Sequence, residues 1–82
     1  MSGNSVYESE LTLTKENMKF ETLLLVGEFE NDYSLSKDQV KLIIQMMYEI
    51  IEGYTIESWN MFAMYLDRTF ESVCPEIFEC CV

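Results

Sequence analysis

Eighty-two residues carry 15 acidic and 5 basic side chains, no histidine and a formal net charge of −10. One domain of this length buries only about 60% of the surface its unfolded chain would expose, yet 49% hydrophobic and 13% aromatic residues supply a core and exclude a disordered chain. Such a charge repels phosphate, which excludes direct nucleic-acid binding and anionic membrane surfaces.

In chain order, residues 1–5 are small and polar and are expected to be disordered. From Val6 to Thr14 the pattern alternates, with Tyr7, Ser9, Leu11 and Leu13 on one side, which reads as a half-buried strand. Lys15, Glu16 and Asn17 are a polar break. Met18 to Glu30 reads as a second strand, with Met18, Phe20, Leu24 and Val26 on its apolar side and Gly27 at a bulge, so that residues 6–30 form an antiparallel hairpin. A helix over the same residues would scatter its apolar side chains round the whole circumference. That helix is the alternative, and it turns the fold into an all-α three-helix bundle. Residues 30–34 read as a loop.

Residues 36–53 form a helix by every local signal: Ser36 and Gln39 make a capping-box pair, and Gly53 suits a left-handed stop. Its apolar face is very broad, spanning Val40, Ile43, Ile44, Met47, Tyr48, Ile50 and Ile51 and widened by Leu42 and Met46. It therefore needs cover from two sides, from its own chain or from a partner. A second helix is expected over 56–73, capped by Thr55, with Trp59, Phe62, Ala63, Leu66, Phe70 and Val73 packed on the first. Glu57, Asn60, Met64, Asp67 and Glu71 lie on its opposite side. Pro75 opens a short tail, 75–82, in which Ile77, Phe78 and Cys81 dock inward. The expected architecture is thus a single α+β domain: hairpin, antiparallel helix pair, C-terminal turn.

Catalysis has little to work with. Histidine, a Gly-rich phosphate loop, a nucleophile elbow and a Walker-type lysine are all missing from the sequence. Glu28, Glu30 and Asp32 begin like a calcium loop, but Tyr33 stands where that loop needs glycine and Gln39 where it needs a bidentate glutamate. Cys74, Cys80 and Cys81 are read as reduced thiols rather than zinc ligands. No catalytic residue, metal or cofactor is expected.

Recognition by surface remains. The N-terminus lacks the apolar stretch of a signal peptide and no run reaches the ~20 residues of a membrane span, so a cytoplasmic protein is expected. Glu49 and Glu52 on one helix, Glu57, Asp67 and Glu71 with Met64 on the next, and Glu28, Glu30 and Asp32 form acidic rows that can imitate a phosphate backbone. In size, acidity and lack of catalytic groups the chain resembles the small inhibitors that viruses and mobile elements make against host nucleases, glycosylases or DNA-binding defence proteins. The resemblance is of type and carries no motif. It implies a basic protein as partner. The other reading is a homodimeric interaction module that meets its second copy through Leu42, Met46 and Tyr48 on the wide apolar face.

Overall fold

The computed structural model describes residues 12–79, the side chains as far as Ile77. It contains four helices and, among the described residues, no strand: α1 (Lys15–Tyr33), α2 (Lys37–Gly53), α3 (Trp59–Val73) and a short α4 (Pro75–Glu79). The expected hairpin is overturned over its described part and the all-α alternative fits; residues 6–11 of the first expected strand lie outside the described residues.

The cause lies in the start and composition of α1. Thr14, in extended conformation, accepts from the Asn17 N–H at 3.0 Å and so caps a helix at the polar residues taken for a break. Downstream, leucine, glutamate, lysine and methionine are better helix formers than strand formers, and Val26 is the only β-branched aliphatic between Met18 and Glu30. The inward face is Met18, Thr22, Leu25, Val26 and Phe29, at helical spacing. Thr22 is fully buried, its hydroxyl satisfied by donating to the Met18 carbonyl at 2.8 Å. Gly27 is therefore a helix-interior residue rather than a bulge.

The expected loop at 30–34 is also helical as far as Tyr33. α1 stops at Ser34, which takes the left-handed conformation (φ 56°, ψ 50°), and the N–H groups of Ser34 and Leu35 both turn back to the Glu30 carbonyl. Leu35 then drops into the core.

α2 begins as its sequence says. Ser36 and Gln39 exchange both capping-box bonds, 3.1 Å from the Gln39 N–H to the Ser36 hydroxyl and 2.9 Å from the Ser36 N–H to the Gln39 side chain. Its end differs: Gly53 is not left-handed, and the helix closes at an extended Tyr54 whose N–H donates to Ile50 O at 2.9 Å. α3 starts at Trp59 rather than Ile56, because Ser58, not Thr55, is the cap and Ile56 is buried in the connection. Pro75 fills the first position of α4, where its missing N–H costs nothing.

The three long helices run up, down and up. Lys15 and Lys19 near the start of α1 meet Glu52 near the end of α2, and Phe29 near the end of α1 meets Phe70 near the end of α3, edge on at 4.1 Å. α2 packs on both neighbours, so its broad apolar face is covered from two sides by its own chain. Ile43, Met47 and Ile51 have no exposed surface and form the centre of the core, with Phe62, Leu66 and Phe70 of α3 and Met18 and Val26 of α1 around them. Burying a side chain of this kind contributes about 1.5–3 kcal/mol, so this seam dominates the stability of the domain.

Candidate binding surface

α3 carries the clearest acidic stripe. Its inward residues Phe62, Leu66, Thr69 and Phe70 fix its rotation, and Asn60, Met64, Asp67 and Glu71 consequently face solvent, with Glu57 exposed just before the helix. Asp67 and Glu71 are one turn apart, about 6 Å along the axis, a separation comparable to that of successive phosphates on one strand. Arg68 shares this side, but no ion pair joins it to Glu71 among the described residues. Met64 is 40% exposed, whereas Met61 and Tyr65 pack against the core and Tyr65 also meets the Tyr54 ring. Of the expected core face of α3, only Ala63 is exposed.

The acids of α2 divide. Glu49 is exposed. Glu52 is the receptor for two lysines, Lys19 and, at 3.5 Å, Lys15. The hydrogen bond from Lys19 first, then the charges of Lys19 and Lys15, hold the Glu52 carboxyl below its ordinary range, and the same bond raises Lys19. Glu52 is thereby a clasp between α1 and α2 rather than an open carboxylate.

Glu28, Glu30 and Asp32 would have lined one side of a strand. On a helix Glu28 and Asp32 keep a common side while Glu30 turns about 160° from Glu28. Both Glu28 and Asp32 are exposed, and Glu30 is half-buried.

Of the residues suggested for a second copy, Leu42 and Met46 lie one turn apart on the same side of α2, and Tyr48 lies apart from them. Leu42 is 45% exposed, but Met46 is half-buried and Tyr48 lies under α1, with the Lys19 ammonium 5.3 Å from its ring centre. α1 and α3 cover most of the wide face of α2 and leave Leu42 as its exposed apolar residue.

The apolar surface that does remain open is on α1. Phe20, Leu23 and Leu24 are 58%, 46% and 47% exposed and, with Gly27, follow one another over successive turns of the outer face. Beside them runs an open groove of ≈ 630 Å³ whose lining includes Leu23, Leu24, Gly27, Glu28, Glu30 and Leu35. Reading the segment as a strand placed Phe20 and Leu24 in the core, and so hid this surface. The signal was the scatter of apolar residues that a helix over Met18–Glu30 requires.

No cluster of three or more candidate metal ligands occurs among the described residues, and no helix among them is long and apolar enough to cross a membrane. The chain matches no protein-family model, no curated protein and no solved structure.

Proposed function

We propose that the protein is a non-enzymatic inhibitor that sets the acidic stripe of α3 against a basic, nucleic-acid-handling surface of another protein and keeps nucleic acid from it. Support comes from one arrangement above all: Met64, Asp67 and Glu71 are exposed along one side of α3, with Glu57 exposed just before its cap, and the Asp67 and Glu71 carboxylates are at phosphate-like spacing with an apolar side chain beside them. Glu49 of α2 adds to the negative field, whereas Glu52 contributes less because two lysines already neutralise it. The target is a nuclease, glycosylase or other DNA- or RNA-binding protein, and the setting is the cytoplasm of a cell in which a viral or mobile-element product disarms a defence.

The test is capture on the immobilised protein at low and physiological salt, with the double variant Asp67→Asn/Glu71→Gln in parallel. Basic nucleic-acid-binding proteins should be retained at low salt, be displaced by added duplex DNA or RNA, and be lost with the variant. Retention that ignores salt, nucleic acid and the variant would sink the proposal.

A further inference from the structure

We propose that the outer face of α1 is a docking groove for a basic amphipathic helix of another protein, with Leu23, Leu24 and Gly27 as its floor, Phe20 extending the apolar line one turn beyond it, and Glu28 and Glu30 as its two walls. This surface is separate from the α3 stripe, and the proposal stands or falls without it.

One exposed leucine on a helix needs no explanation, but three large apolar side chains on adjacent turns make a continuous patch. Among the described residues the patch takes no part in the core, since the core face of α1 is Met18, Thr22, Val26 and their neighbours, on the other side. Its length from Phe20 to Asn31 is about 16 Å, three turns of helix. At its middle is Gly27. A methyl group built there would meet nothing within 4 Å, so no contact among the described residues requires glycine. Glycine in a helix interior costs roughly 0.5–1 kcal/mol relative to alanine. A bare backbone at the centre of an apolar groove does, however, let another helix approach closely.

Charge selects the occupant. Glu28 and Glu30 project on opposite sides of the apolar line, and there is no lysine or arginine anywhere from Phe20 to Ser36. Lys19, next to the groove, is turned away to Glu52. A second copy of this chain would bring the same carboxylates and set like charges together. A helix with an apolar stripe bordered by lysine or arginine satisfies floor and walls at once.

The probe is a synthetic peptide of about 18 residues, ~27 Å as a helix, with leucines on one face and lysines on the other. A control peptide has the same composition in an order that leaves no apolar face. Calorimetric titration of the full chain should show the patterned peptide binding on the order of tenfold or more tighter than the control, and Leu23→Ser/Leu24→Ser should remove that advantage. Gly27→Leu, which fills the groove without touching the core, should weaken the patterned peptide similarly, while Asp67→Asn/Glu71→Gln should leave it unchanged. Circular dichroism confirms that each variant keeps its helices. Equal binding of the two peptides, or no effect of the groove variants, overturns the proposal. So does sedimentation showing a dimer of the full chain that Leu23→Ser/Leu24→Ser dissolves, because the occupant is then a second copy.

Discussion

α2 and α1 are both rich in apolar residues, but α2 buries or half-buries all of them except Leu42. It lies between two neighbours, and its inward side chains Ile43, Met47 and Ile51 lose all contact with solvent. α1 buries one side through Met18, Thr22 and Val26 and leaves Phe20, Leu23 and Leu24 in water on the other. The lesson is that a broad apolar face becomes informative only once its neighbours are counted: on α2 most of the excess builds the core, and on α1 Phe20, Leu23 and Leu24 stay outside it.

The sharpest way to break the comparison is to truncate on each side. Ile51→Ala or Phe70→Ala should destabilise the domain by about 2–5 kcal/mol in urea denaturation, because a fully packed site leaves a cavity. Leu24→Ser and Phe20→Ser should stay within roughly 0.5 kcal/mol of the parent. If the outer substitutions cost as much as the inner ones, the outer face of α1 is covered in the native protein. Next in size is the start of α2: Ser36→Ala removes a reciprocal cap and should cost about 1 kcal/mol. Gly27→Ala should raise the melting midpoint, by up to about 1 kcal/mol in stability, since the added methyl meets only open space and alanine favours the helix.

The smallest effect belongs to the exposed clasp at Glu52. Its carboxyl is held below the ordinary 4.5, so the contribution is present above the unfolded value and fades as pH falls through the lower folded one. Lys19 is raised above 10.5, so its contribution is present below that value and is lost as pH climbs through the folded one. The stability difference between the parent and Glu52→Gln should therefore be flat through neutrality and close at both ends, and it should shrink with salt. A difference that persisted below the titration of Glu52 would assign the effect to something other than the ion pairs.

How much of this the sequence discloses depends on where local and long-range preferences agree. For α2, cap, period and length agree, and the expected bounds and both capping-box bonds are the observed ones; only its end differs, where an extended Tyr54 replaces a left-handed Gly53. The outward stripe of α3 is likewise legible, because Phe62, Leu66 and Phe70 recur at helical spacing and fix what faces away. For α1 the two signals conflict. Met18, Phe20, Leu24 and Val26 alternate as a strand would, whereas the true inward set includes Thr22, a polar residue that hides its hydroxyl by bonding to its own backbone. Composition, dominated by leucine and glutamate, decides for the helix. The double engagement of Glu52 was not legible, because Lys15 and Lys19 lie 37 and 33 residues away in sequence and only the α1–α2 pairing brings them near.

Cys74 sits at the joint between α3 and α4, with no exposed surface, its N–H donating to Phe70 O and its carbonyl accepting from Ile77 N. Burial, and then the charge of Glu76, push its thiol above the ordinary 9.0, which keeps it in the unreactive protonated form. The protein thus carries its own clock. A thiol reagent can reach this sulfur only when the packing around the α3–α4 joint opens, so the extent of modification at Cys74, resolved from the other cysteines, reports that opening and provides a way to watch breathing of this part of the core without adding a label.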